Sequence, residues 1–197
     1  MMSTIEPLIT YFNNFTPLDE EEIIFVSTCF KSRLYRKRQY ILQEGDVCNN
    51  YNFVVRGCLR MYKIDKNGNT HILQFTSENG WIADIGSFHE HTPSELSIDA
   101  LEDTIVLQIS YENLIAIYER FPRFNRIFRI LMENAYVSLQ KRMFQNISSP
   151  AEDRYNFFME VYPHLSSRLP QTQIASFLGI TPEFLSRLRN RRLKNKS

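Results

Sequence analysis

The sequence predicts an α+β protein in three parts: a helix-flanked β-sandwich or β-roll, one long helix, and a C-terminal pair of short helices at a steep angle. Three observations carry this. Between Lys31 and Ile109, short apolar or alternating segments recur between turn signals. From Arg123 to Asn146 the chain runs in a helical pattern with no Pro or Gly. From Gln171 to Asn190, two apolar-periodic stretches flank Gly179.

Residues 3–30 read as two helices. Ile5, Leu8, Ile9, Phe12 and Phe15 form one apolar stripe. Thr16-Pro17-Leu18-Asp19 opens the second helix, which carries acidic residues in its first turn, where the helix dipole favours them. Five strands follow: Tyr40 to Gln43, Asn52 to Val55, Cys58 to Ile64, Thr70 to Phe75 and Thr104 to Ile109. Glu44-Gly45-Asp46, Arg56-Gly57, Asp65 to Asn69 and Glu78-Asn79-Gly80 are the turns between them. Tyr111 to Arg120 is a helix stopped at Phe121-Pro122. The long helix then carries more apolar surface than one covered side needs, which predicts a dimer seam as well as packing on its own sheet domain. Ile127, Leu131, Ala135 and Ser138 are the expected seam positions. Ser148-Ser149-Pro150 ends this helix, and Ala151 to Val161 is one more helix before the final pair. The expected division is residues 1–122, 123–147 and 148–197.

The chain has 197 residues, is 43% hydrophobic and includes 15 Phe and 10 Tyr, enough apolar material for a sizeable core. Its net charge of +1 is unevenly spread: residues 1–146 carry a net −3 and residues 147–197 a net +4. A polyanion-facing surface is therefore expected at the C-terminal end. The first residues lack a basic start with a long apolar run, and no run of 18 apolar residues occurs, so neither a signal peptide nor a membrane span is expected. The three cysteines, Cys29, Cys48 and Cys58, are odd in number and far apart. They suit a reduced cytoplasmic compartment better than a disulfide framework.

In the final pair, Ile174, Leu178, Ile180, Leu185 and Leu188 are apolar where side chains must point between steeply crossed helices, and Ala175 is small at their closest approach. Gly179 supplies the left-handed turn, Thr181 can cap the second helix, and Pro182 fits its first turn. This is the helix-turn-helix pattern, whose second helix reads the DNA major groove. Glu183, Ser186, Arg187 and Asn190 are the base-edge candidates, because Arg pairs bidentately with guanine and Glu accepts from cytosine. Gln171, Thr172 and Gln173, at the first helix start, and Arg189, Arg191 and Arg192 are the phosphate candidates. Lys194 and Lys196 extend the basic run.

The order of parts resembles the Crp/Fnr family of bacterial transcription regulators, the cyclic AMP receptor protein class. The resemblance covers nearly the whole chain. It rests on Gln43-Glu44-Gly45-Asp46, on Val54 to Arg60 with its Arg56-Gly57 turn, on Gly80-Trp81-Ile82-Ala83-Asp84-Ile85-Gly86-Ser87-Phe88, and on Ile174 to Thr181. It implies a double-stranded β-roll like a cyclic-nucleotide-binding domain, a dimerisation helix, and a helix-turn-helix reading a roughly palindromic operator as a homodimer. RNA polymerase is a further partner the family suggests. The chain reaches Ser197 soon after the second helix, so no wing is evident, and Leu193 to Ser197 are expected to extend that helix or fray. Pro182 stands where the cyclic AMP receptor proteins use an Arg for a base contact, whereas Glu183 and Arg187 match, so a different operator is expected.

Members that bind cyclic nucleotides use a Gly-Glu pair followed ten residues later by Arg and then Ser or Thr. Here the corresponding residues are Ala83-Asp84 and Ser94-Glu95, and no Arg or Lys lies between Gly80 and Arg120. A carboxylate beside the phosphate position would cost about 4 kcal/mol at about 4 Å and an effective dielectric near 20, enough to remove micromolar binding. Cyclic AMP is therefore not expected to bind in the family manner, and the effector stays unassigned. Iron–sulfur sensors need four thiolates, more than this chain's three cysteines, and His71 fits a surface strand better than a haem ligand. No cofactor is expected.

The competing class is a cupin-like metal protein. His89, His91 and Glu95 have an H-x-H…E spacing that could hold a transition metal. Against it, the flanking glycines are misplaced, and the only later His is His164. No P-loop, G-x-G-x-x-G or Ser-His-Asp pattern occurs, so an enzyme is not expected.

Overall fold

The computed structural model describes residues 2–194; for residues 2–4 and 192–194 it describes backbone alone. Chain elements fall into two compact units: residues 1–63 with 73–131, and residues 64–72 with 132–197.

The first unit begins with α1 (Met2–Asn13) and α2 (Glu20–Cys29). Asp19 caps α2 in a reciprocal box: its carboxylate accepts from Glu22 N–H at 2.9 Å, and the Glu22 carboxylate accepts from Asp19 N–H at 2.9 Å. Glu22 is buried and also pairs with Arg123, so the charge is not stranded.

The strands are β1 (Lys31–Tyr35), β2 (Tyr40–Leu42), β3 (Asn50–Arg56), β4 (Leu59–Ile64), β5 (Thr70–Thr76), β6 (Trp81–Ile82), β7 (Ser97–Ala100) and β8 (Thr104–Ser110). They form two four-stranded sheets, ordered β1-β8-β3-β6 and β2-β7-β4-β5. The recorded pairings are antiparallel, with Lys31 opposite Gln108, Tyr51 opposite Ile109 and Leu59 opposite Ala100. This is the expected roll. The five sequence-read strands are present, and β1, β6 and β7 are additions. β1 was illegible because four of its five residues are exposed, so it lacks the alternation of a half-buried strand. Gly57, at φ +106°, makes the β3–β4 turn: a Cβ there would lie 2.4 Å from Thr104 Oγ1.

Between β6 and β7, α3 (Ile85–Glu90) is capped by Asp84, and His91 leaves it in the left-handed region at φ 54°. After β8 come α4 (Tyr111–Arg120) and α5 (Arg123–Ser148), the latter close to its predicted limits. The core gathers around Trp81, whose ring meets Tyr11, Phe12, Tyr51, Phe53 and Phe128 at centroid distances from 4.9 to 6.4 Å. Phe124 closes on Phe12 edge to face.

The second unit holds the end of α5, α6 (Ala151–Val161), α7 (Gln171–Leu178), α8 (Pro182–Lys194) and the tip of the β4–β5 hairpin. Its core is Phe158, Leu165, Ile174, Ala175, Leu178 and Leu185, each at most 4% exposed. Phe177 joins them against Phe158 and Tyr162. No helix among the described residues is long and apolar enough to cross a membrane. The three cysteines are buried thiols.

Candidate nucleic-acid interface and sensor pocket

α7 and α8 are built as the pattern demands. Gly179 ends α7 at φ 65°, ψ 37°, and Ile180 N–H reaches back to Ala175 O at 3.0 Å. Thr181 Oγ1 then accepts from Phe184 N–H at 3.2 Å, capping α8. Arg154 reaches from α6 to the last carbonyl of α7, donating to Leu178 O at 3.1 Å. Leu185 and Leu188 turn inward, at 0% and 5% exposure, and this fixes the rotation of α8. Glu183, Ser186, Arg187 and Asn190 are exposed as a result. Arg187 lies over the Phe184 ring at 5.3 Å, which restrains a long side chain before any partner arrives. Hydrogen bonds from the Glu183 backbone N–H and Thr181 hold the Glu183 carboxyl below the ordinary carboxylate range, with Arg187 adding to the effect.

Of the phosphate candidates, Gln171, Thr172 and Arg191 are exposed, whereas Gln173 and Arg189 are half-buried. The Arg192 side chain lies outside the described residues, as do Asn195 to Ser197; α8 itself runs to Lys194.

Two features of this unit escaped the sequence. Arg142 is half-buried, with its guanidinium 3.9 Å from the centroid of the Phe177 ring, and it donates to Ile72 O at 2.8 Å. Desolvation pushes its pKa down. Ser176 on α7 donates to Thr70 O. Both contacts join residues far apart in sequence, so no local pattern announces them.

The four dimer-seam positions divide. Ile127 and Leu131 are 2% and 7% exposed in the single chain, so they serve the core of the first unit and are corrected as seam residues. Ala135 and Ser138 are exposed. The uncovered apolar surface lies further along α5: Tyr136, Leu139, Met143 and Ile147 recur at helical spacing, with Val137 and Phe144 beside them, at 45–82% exposure.

The four cassette residues separate into two groups. Ala83 is buried, and Asp84 caps α3. Ser94, in the position of the family's Arg, is buried and donates to Asp84 Oδ2 at 2.6 Å. The Asp84 carboxylate is thus engaged within the cassette itself. Glu95 stands apart: its side chain is 80% exposed and pairs with Lys63 from β4. The like-charge cost assigned to Glu95 is corrected accordingly, since solvent and Lys63 screen it. The carboxylate that does occupy the cassette is Asp84.

The residues of the metal alternative do not converge. The His89 and His91 rings flank Tyr111 at 5.6 and 5.0 Å, while Glu95 goes to Lys63. No group of three or more His, Cys, Asp or Glu side chains among the described residues is placed to hold a metal ion.

Comparison with known proteins agrees with this architecture. Residues 32–121 match the cyclic nucleotide-binding domain model. The transcriptional activator protein anr of Pseudomonas aeruginosa is 25% identical over 179 residues, spanning 84% of this chain and 71% of that protein. In these comparisons the chain is similar to regulators of the Crp/Fnr type. Among solved structures, FixK2 from Bradyrhizobium japonicum has the same fold at a TM-score of 0.74 and 20% identity, covering 85% of this chain and 86% of that one. The catabolite activator protein of Thermus thermophilus is similar at a TM-score of 0.52 and 20% identity, over 92% and 87% of the two chains. The chain therefore has the fold of these two proteins, with a β-roll that matches the cyclic nucleotide-binding domain.

Proposed function

We propose that this protein is a homodimeric, sequence-specific DNA-binding transcription regulator of the Crp/Fnr type that acts in the cytoplasm on an approximately palindromic operator. It does not bind cyclic AMP in the family manner. The observation that carries the DNA reading is the exposed row Glu183, Ser186, Arg187 and Asn190 on α8, fixed in rotation by buried Leu185 and Leu188. Gln171, Thr172, Gln173, Arg189, Arg191 and Arg192 set the register on phosphates. The apolar stripe from Tyr136 to Ile147 supports the dimer, because an uncovered surface of this size on one helix is best buried against its own copy. The Ser94–Asp84 hydrogen bond supports the nucleotide reading: Ser94 stands where binding members place an Arg and offers no cation to a cyclic phosphate, and the bond engages the carboxylate that corresponds to their Glu.

Selection of genomic fragments by the purified ligand-free protein, with and without cyclic AMP, tests this. A palindromic site enriched equally under both conditions is expected. Enrichment only with cyclic AMP overturns the nucleotide reading and keeps the DNA reading. On the selected site, Arg187→Ala is expected to cost about 1–3 kcal/mol and to relax one operator position. Unchanged binding by that variant in a gel-shift titration would mean that α8 does not read bases through this face.

A further inference from the structure

Apart from the cassette, the first unit contains an open cleft of about 90 Å³ between β1, β2, β3 and β8. Arg33, Tyr35, Asn50, Asn52 and Gln108 give it a polar wall, and Cys48 borders it. No Asp or Glu lines it. Arg33 has no carboxylate partner among the described residues; its guanidinium rests over the Tyr35 ring at 5.1 Å.

The polar wall has a fixed proton direction. Asn52 Nδ2 donates to two backbone carbonyls, Asn50 O and Ile82 O, both at 3.1 Å. That orientation leaves Asn52 Oδ1 as an acceptor, and it takes one N–H of Gln108 at 2.7 Å. Gln108 Nε2 also donates to Tyr35 Oη at 3.2 Å. The Tyr35 hydroxyl is thus committed as an acceptor, and its own proton remains to be donated. Tyr35 is 3% exposed, so an undonated O–H would be costly. Backbone carbonyls at one end of the relay therefore set a buried donor at the other, in a wall that also carries an unpaired guanidinium.

We propose that this cleft is a binding site for a small monocarboxylate. One carboxylate oxygen accepts from the Tyr35 hydroxyl, and the charge is met by Arg33. The absence of acidic lining residues favours an anion, and a cleft well below the usual range of ligand-pocket sizes admits only a small one. The site has a structural connection to the cassette: Cys48 N–H donates to Ser87 Oγ at 2.8 Å, and Ser87 lies on α3 beneath its Asp84 cap. The proposal goes beyond the DNA reading, and its test measures ligand binding alone.

The test is an NMR titration of the full-length protein with sodium propionate at constant ionic strength, following the side-chain amide resonances of Asn52 and Gln108. Propionamide serves as the uncharged isostere. Saturable shifts with propionate and none with propionamide are expected. Arg33→Gln is expected to weaken propionate at least about tenfold, and Tyr35→Phe by a smaller factor, with both variants retaining the parent amide spectrum elsewhere. Since Arg33 is exposed, its replacement leaves the fold intact and isolates the charge. The proposal fails if propionate moves neither amide, if propionamide moves them equally, or if Arg33→Gln binds like the parent.

Discussion

The two halves of α5 present apolar side chains to different surroundings. From Phe124 to Leu131 the large apolar residues are covered: Phe124, Ile127, Phe128 and Leu131 are at most 7% exposed, with Phe12 and Trp81 against them. From Tyr136 to Ile147, side chains of the same kind are 45–82% exposed. The covered side of this second half is instead marked by Arg142, which lies on the Phe177 ring. One helix therefore serves two kinds of hydrophobic burial. The first half draws its stability from its own protomer, and the second leaves a surface suited to association.

The largest test of this contrast is Phe124→Ala. Removing a fully buried ring is expected to destabilise the first unit by about 3–5 kcal/mol, read as a lower midpoint in urea unfolding. Next is the paired change Leu139→Glu and Phe144→Glu. The stability of the isolated fold should hold, because both sites are exposed, whereas self-association should weaken by about 2 kcal/mol or more. Sedimentation equilibrium distinguishes these outcomes. A parent that is monomeric at high concentration would remove the association role altogether.

Arg142→Ala sharpens the comparison within the second unit. Loss of the cation–π contact and the bond to Ile72 O is expected to cost about 1–2 kcal/mol, with hydrogen exchange rising at Ile72 and along α7. Exchange confined to residues 151–161 would contradict it.

The smallest effect concerns the hairpin tip. Asp65 accepts from Asn67 N–H, Asn69 N–H, the Asn69 side chain and His71. These bonds, the one with His71 foremost, hold its carboxyl well below the ordinary carboxylate range. A depressed folded-state pKa stabilises above the unfolded value and loses that contribution as pH falls through the folded value. The tip should therefore keep its turn at mildly acidic pH and loosen only in strong acid. A carboxyl NMR titration of Asp65 with an ordinary midpoint would refute this.

The helix-turn-helix was legible because its constraints are local. Gly179, Thr181 and the inward leucines fall within one short stretch, so spacing alone specifies the turn, the cap and the rotation of α8. The roll was partly legible: strands between Gly- and Asn-containing turns could be read, whereas β1 could not, since its pairing with β8 lies more than sixty residues away and its own residues are largely exposed. The cassette was legible in composition but not in geometry. Ser94 and Glu95 are neighbours in sequence, yet one is buried on Asp84 and the other exposed on Lys63.

The sequence by itself determined the family resemblance, the order of parts and the exposed polar row on α8, because periodicity, turn chemistry and charge are properties of short segments. Only the tertiary structure decided which apolar residues of α5 remain uncovered, which carboxylate occupies the cassette, and how the Asn52–Gln108–Tyr35 relay aims its last proton. Each of those depends on groups brought together across the fold, where burial and hydrogen-bond direction arise from distant neighbours.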